Sequence, residues 1–292
     1  MATWWGLALV VAAVALWMGP AWRPRPLAGV TRPRPWALGH RGVRGSLPEN
    51  TLAAFRAALD AGLDGVETDV QRTRDGALVL VHDPEVNGAR VVDATLAQLR
   101  AAKPDVATLP ELLDLVRAHP GTLLNVELKT LPPGGPTIAR VAAELWGPLP
   151  GALARAVAGA LSGSGLEDRL VVSAFSPVAL LHLRLRAPAL RTAYLWSTQP
   201  EVPWPWRHPW PAALLHADAL HPRHDAVTAA AMARWRGRGA AVNTWTVNDD
   251  AEVRRVVEAG VDGVMADDPG RLLRPLGRMP EGALGHPPEG TP

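Results

Sequence analysis

The chain has 292 residues, 30 of them lysine or arginine against 28 aspartates and glutamates, with 48% hydrophobic and 20% charged side chains. That composition excludes a wholly disordered chain and fits one large domain or two small ones. The absence of cysteine excludes disulfides, thiolate metal sites and a cysteine nucleophile. Four arginines (Arg23, Arg25, Arg32, Arg34) crowd into the first 35 residues, where there is no acid; the basic balance belongs to this neck, and a nucleic-acid partner is not expected without a basic domain face.

Residues 3–22, TWWGLALVVAAVALWMGPAW, carry no charged side chain. Their length matches a membrane-crossing helix, and Trp4, Trp5, Trp17 and Trp22 sit near its ends as an aromatic belt would place them. Residues 1–22 read as an uncleaved transmembrane anchor. A cleaved signal or a buried helix are the alternatives, but no basic residue precedes the run and no small-residue cleavage site follows it. The flanking arginines all follow the span, so the positive-inside rule places the domain in the cytoplasm, with an extracytoplasmic domain as the alternative. Residues 23–35, rich in Pro and Arg, read as a stiff extended linker.

From residue 36 onward apolar runs alternate with amphipathic stretches. The strands are expected at 36–40, 64–70, 123–128, 169–174, 191–195, 216–221, 240–246 and 261–266, and helices at 50–61, 136–160, 176–187, 225–237 and 249–259. Such alternation in an α/β chain implies a parallel sheet, and eight strands over residues 36–275 imply a (β/α)8 TIM barrel. A doubly wound open sheet is the runner-up, but no Gly-x-Gly-x-x-Gly follows the first strand. Residues 78–82 (LVLVH) come too soon after 64–70 for a parallel crossover, so they must return antiparallel as an inserted β-hairpin after strand 2. That return brings His82 beside Glu67 and Asp69. EVPWPWRHPWP (201–211) reads as a rigid surface loop or as a hydrophobic lip that touches a membrane. Residues 276–292, rich in Gly and Pro, read as a flexible tail.

Glu67 and Asp69 lie two apart on a strand and so share a face. If that face is inward, they stand at the mouth where barrel active sites sit. Asn125, Glu127 and Lys129 repeat the pattern on the next parallel strand. Three converging acids call either for a hard divalent cation or for ion pairing with Arg or Lys. Lys129 is one of only two lysines in the chain, and its place beside the acids suggests a compact point charge. His40 and Arg41 close the first strand, where histidine can serve as acid or base and arginine can hold a phosphate oxygen. No one of these residues is specific. Together they suit metal-assisted phosphoryl chemistry.

GHRGVRGSLPENTLAAF (39–55), GVETDVQRTRDGALVLVHDP (65–84), NVELK (125–129), VVSAF (171–175), NTWTVN (243–248) and GVDGVMADDP (260–269) resemble the glycerophosphodiester phosphodiesterases, in the family's order over residues 36–270. The resemblance implies a metal-dependent TIM-barrel enzyme that hydrolyses glycerophosphodiesters to glycerol 3-phosphate and an alcohol. It implies a catalytic pair at His40 and His82, metal carboxylates at Glu67, Asp69 and Glu127 for Ca2+, Mg2+ or Mn2+, and substrate contacts at Arg41, Lys129 and Trp245. One histidine would deprotonate the glycerol 2-hydroxyl and the other protonate the leaving alcohol, with water then opening a cyclic phosphate; which histidine does which is left open, as is direct attack by water. Glu49 would support the site, and Asn50 or Thr51 would cap a helix. The segment after His82-Asp83-Pro84 is shorter than in many members, which bears on headgroup choice. A lysophospholipase D acting on membrane lysophospholipids and an inactive, membrane-tethered ligand-binding barrel are the competing readings.

Overall fold

The computed structural model describes residues 22–26, 33–130 and 135–279. The expected anchor, apart from Trp22, lies outside these residues, and among them no helix is long and apolar enough to cross a membrane. Strands β1 (Trp36–His40), β2 (Gly65–Arg72), β3 (Leu78–Leu80), a short hairpin β4 (Glu85–Val86) and β5 (Ala89–Arg90), then β6 (Leu123–Leu128), β7 (Leu170–Ala174), β8 (Arg191–Trp196), β9 (Ala219–Pro222), β10 (Ala241–Thr244) and β11 (Gly263–Ala266) follow in order. Eight of them pair in parallel, and β1 bonds both β2 and β11, so the sheet closes into a barrel. Strand β3 runs antiparallel on β2, which is the expected inserted hairpin.

Parallel strands covered on both sides need apolar residues on both faces. Accordingly β6 and β7 are buried along their whole length. Trp36, Leu38, Leu123, Val171, Ala193, Ala219 and Met265 form the packing inside the barrel, while the alternate positions join the larger core under the helices. Gly65 is required where β2 nears β6, because a Cβ there would stand 2.1 Å from the Leu123 carbonyl oxygen.

The helices are α1 (Leu52–Asp60), α2 (Leu96–Ala102), α3 (Leu109–Arg117), α4 (Thr137–Trp146), α5 (Leu149–Leu161), α6 (Pro177–Arg186), α7 (Trp210–Leu215), α8 (Ala229–Arg236), α9 (Asp250–Ala259) and α10 (Pro269–Leu273). The helical pattern over 136–160 divides into α4 and α5 at Gly147-Pro148, since proline accepts only the first turn of a new helix. The Trp/Pro segment 201–211 contains a short 3-10 turn, Trp204–Trp206, and opens α7.

Three aspartates close the floor of the barrel, each one residue before a strand. Asp64 accepts the Ala37 N–H, Asp218 the Thr192 N–H and Asp262 the Val242 N–H, each at 2.8–2.9 Å. Each also binds an arginine from near one end of the chain: Arg278 on Asp64, Arg25 on Asp218 and Arg34 on Asp262. Trp22 and the first residues of the expected linker therefore dock on the barrel. Trp22, expected at the interfacial end of a membrane span, is buried on the floor and donates its indole N–H to the Ala217 carbonyl at 2.8 Å. Arg278 likewise ties the start of the expected tail to Asp64.

Candidate active site

The C-terminal ends of β1, β2 and β6 bring the expected residues to one mouth. His40 ends β1, Glu67 lies in register with it on β2, and Asp69 pairs with Glu127 across β2 and β6. One oxygen from each of Glu67, Asp69 and Glu127 lies within 4.8 Å of the others, and all three residues are buried. The β2–β3 ladder runs on to Val81, whose N–H reaches the Asp69 carbonyl at 3.0 Å. His82 thus returns to the level of the acids, as the loop length requires.

The charges of this cluster are uneven. Burial raises the Glu67 carboxyl well above the usual range, and Asp69 and Glu127 push it further than Arg41 can offset. Burial also acts against Asp69 ionising, but Lys129, Arg41 and His82 outweigh it and hold that carboxyl well below the usual range. Lys129 Nζ sits 2.9 Å from Glu127 Oε1 and 3.3 Å from Asp69 Oδ1. Those two acids lift its ammonium above the ordinary lysine value against the cost of burial. Asp69 Oδ1 is buried and accepts no hydrogen bond, meeting the Lys129 ammonium as an ion pair. An all-oxygen set with one lone pair unspent and one carboxyl resisting ionisation fits a hard divalent cation.

Arg41 stands behind the acids at φ 53°. Its backbone N–H binds Glu67 at 3.1 Å, its guanidinium grips Glu49 at 3.0 Å, and its Nε lies 3.1 Å from Asp69. Arg44 also binds Glu49, at 2.7 Å. Of the two expected cap residues, Thr51 is the helix cap, accepting the Ala54 N–H. Asn50, at φ 58°, turns inward instead. It donates to Asp69 at 2.9 Å and accepts from Thr68 at 2.8 Å, fixing the Asp69 carboxylate.

Each histidine has an acidic neighbour. His40 Nδ1 is 2.6 Å from Asp267, and its Nε2 is 3.9 Å from Glu67. Asp267 is held by Asn248 through both its side chain and its backbone N–H. Burial disfavours its charge, but the bond to His40 prevails and keeps it below the ordinary carboxyl value. His82 Nδ1 is 2.8 Å from Asp83. Gln71 Nε2 donates to the carbonyls of Val81 and Asp83, at 2.9 and 2.6 Å, and so clamps the His82 loop. Asp267, Asn248 and Gln71 lie within the quoted motifs, yet sequence reasoning gave them no role in the site; Asn248 reads there only as part of a helix start, which Asp249 caps. The Asp-Asp-Pro after the last strand and the side-chain alternation that puts Gln71 on the Glu67–Asp69 face were the available signals.

A cavity of about 320 Å³ opens beside the cluster, lined by His82, Glu127, Lys129, Phe175, Arg140 and Val202 among others. Trp245 meets Phe175 edge-on at 5.5 Å and donates its indole N–H to the His221 carbonyl. Trp245 therefore stands at the mouth as a wall, reaching the cavity through Phe175.

Comparison with known proteins gives a consistent result. Residues 40–271 match the profile of the Glycerophosphoryl diester phosphodiesterase family. A glycerophosphodiester phosphodiesterase of Caldanaerobacter subterraneus is 29% identical over 255 residues, covering 81% of this chain and 95% of that protein. A crystal structure from Silicibacter pomeroyi, assigned as a glycerophosphoryl diester phosphodiesterase, superposes with TM-score 0.70 at 30% identity, covering 86% of this chain and 96% of that one. A phosphodiesterase of Oleispira antarctica, solved with the product sn-glycerol-3-phosphate, shares the fold at TM-score 0.67 and 23% identity, over 83% and 97% of the two chains.

Proposed function

The chain belongs to the glycerophosphoryl diester phosphodiesterase family, and on that premise we propose that it cleaves glycerophosphodiesters to glycerol 3-phosphate and an alcohol by acid–base catalysis between His40 and His82. What carries this reading is the meeting of two histidines from different strand ends, one beside Glu67 and one beside Asp69, at a single mouth. The product named for the Oleispira protein supports the product class.

Glu67, Asp69 and Glu127 would hold the divalent ion, taken as Ca2+, Mg2+ or Mn2+. When bound it supplies positive charge for the phosphate oxygens. Lys129 adds a second positive charge at the cavity wall, and Arg41 holds the acids in place. With its Nδ1–H given to Asp267, His40 keeps a lone pair on Nε2 and takes the role of base. It removes the proton of the glycerol 2-hydroxyl as that oxygen bonds to phosphorus. The bond from phosphorus to the alcohol oxygen breaks, and His82, which lines the cavity, protonates that oxygen. Water then opens the cyclic phosphate with the roles reversed, so one water is consumed per diester.

The test is release of glycerol 3-phosphate from a panel of headgroups with each ion. Turnover of at least one diester is expected; none with any ion would favour an inactive ligand-binding barrel. Replacing the alcohol by a good leaving group such as p-nitrophenol should rescue His82→Ala far more than His40→Ala. Equal rescue would overturn the assignment of acid and base.

A membrane location is part of the same proposal, with the uncharged N-terminal stretch as a single-pass anchor and the barrel on the cytoplasmic side. The arginines that follow the stretch support it. Protease protection of the barrel in sealed, inside-in vesicles would agree with it, and digestion from outside would reverse the orientation.

A further inference from the structure

The exposed large hydrophobic side chains among the described residues are confined to one flank. They are Ile138, Leu145 and Trp146 of α4, Leu181 and Leu185 of α6, Trp204 of the adjoining loop, and Trp210 and Leu214 of α7. Helices α4, α6 and α7 pack side by side in that order. Leu181 and Leu185, and Trp210 and Leu214, are four apart, and Ile138 and Leu145 are seven apart, so each pair stands on one helix face. These are outer faces, where an ordinary barrel helix turns polar residues to water. Ile138 is 81% exposed, Trp146 80%, Leu185 72% and Trp204 65%. Scattered exposed leucines need no explanation, whereas a continuous patch marks an interaction surface.

Three observations identify what it meets. Residues 177–216 carry Arg184, Arg186, Arg191 and Arg207 against a single acid, Glu201; Arg191 is paired with Asp168, while Arg186 is exposed beside Leu185 and gives the apolar flank a basic edge. At its upper end Arg140 of α4 donates to the Glu201 carbonyl at 2.6 Å, and Arg140, Glu201 and Val202 form the outer wall of the catalytic cavity. At its lower end Trp22, the last residue of the uncharged run, seats on Ala217, two residues past the end of α7. Tryptophan, leucine and arginine in this arrangement are the side chains of a bilayer interface.

We propose that the α4–α6–α7 flank, with Trp204 at its rim, is a docking face for an anionic phospholipid bilayer, on which the barrel lies on its side with the cavity opening at the lipid surface. Resting on the catalytic reading above, this geometry admits diesters that carry an acyl chain, the apolar part entering past Val202 and Phe175 while the phosphate reaches the acid cluster.

The absence of native cysteine makes single labels clean. An environment-sensitive dye on Ile138→Cys or Trp204→Cys in the full chain should shift to the blue on adding phosphatidylcholine–phosphatidylglycerol vesicles, and less with phosphatidylcholine alone. The same dye on Ala251→Cys, exposed on α9, should not move. An equal shift at Ala251, or none at the rim, overturns the proposal. So does a rim shift that appears without vesicles and grows with protein concentration, which would assign the face to a second copy. A rim dye already buried in the free chain overturns it too, assigning the face to the chain's own N-terminal stretch. Trp146→Glu combined with Trp204→Glu should lower turnover of a vesicle-borne lysophospholipid about tenfold and leave a water-soluble diester unaffected; an equal fall on both contradicts it. Failure of the native chain to turn over either substrate would refute the catalytic reading and leave the dye result standing.

Discussion

At the floor of the barrel Asp64 and Asp262 each receive one backbone N–H and one arginine, and Asp218 two backbone N–H groups and one arginine. At the mouth Glu67, Asp69 and Glu127 crowd within 4.8 Å, share Lys129 and Arg41, and leave one buried oxygen with an ion pair but no hydrogen bond. Both sets are buried carboxylates at strand ends, so burial alone does not tell structure from function. What separates them is satisfaction. The floor acids have the donors that buried charge demands, while the mouth acids oppose one another, so that Glu67 resists ionisation.

The sharpest way to test that contrast is to strike the mouth. His40→Ala and His82→Ala should each lower kcat by about 10²–10⁴-fold, the usual worth of a positioned acid or base. Unfolding midpoints should stay close to the native protein's. Near-normal turnover by either variant would remove that residue from the mechanism. Chelation should abolish activity, and Ca2+, Mg2+ or Mn2+ should restore it; full activity after exhaustive dialysis against EDTA would leave the acids an ion-pair network like those of the floor.

The floor should respond in the opposite sense. Asp64→Ala strands the Ala37 N–H and frees Arg278, which should cost about 1–3 kcal/mol of stability, read from urea unfolding. Activity per folded molecule should hold. If turnover fell while stability did not, the floor would be coupled to the mouth and the contrast would fail.

An effect absent at neutral pH and growing only in acid comes from the layer between the two. His221 is fully buried, and burial pushes its imidazole down to about 3 from 6.5. Below pH 6.5 the unfolded chain takes up a proton that the folded chain refuses. Stability should therefore decline as pH drops from 6.5 toward 3, by at most about 1.4 kcal/mol per pH unit from this residue. His221→Asn should flatten the decline. An identical slope in the variant would mean that His221 finds a compensating partner on protonation.

The eight barrel strands were legible because buried parallel strands leave short apolar runs, and the hairpin to His82 was legible because loop length alone forbids a crossover. Helices α2 and α3, with 7 and 9 residues, were missed because the segment 84–122 is broken by Pro and Gly and holds no long periodicity. Their signatures were nevertheless present. Gln98 reaches back to the Thr95 N–H and Glu111 to the Thr108 N–H, at 2.9 and 2.8 Å, and both follow the capping-box spacing. The histidines and acids of the site could be read from strand-end position. Gln71 could have been read from the same strand alternation, whereas the Asn248–Asp267 pair depends on two loops 19 residues apart meeting at the rim. Asn50 and Thr51 were told apart only by the backbone, which turns left-handed at Asn50 and so sends its amide inward.

The arginines on the floor also order events in time. Arg25 must find Asp218, Arg34 must find Asp262 and Asp64 must find Arg278, separations of 193, 228 and 214 residues. Strand β1 pairs β11 across a comparable span. A chain emerging from the ribosome therefore cannot shut its barrel until β11 is made, and β1 waits with an open edge until then. Contacts this distant slow the search for the native topology, and an unpaired edge invites misassembly while the search lasts.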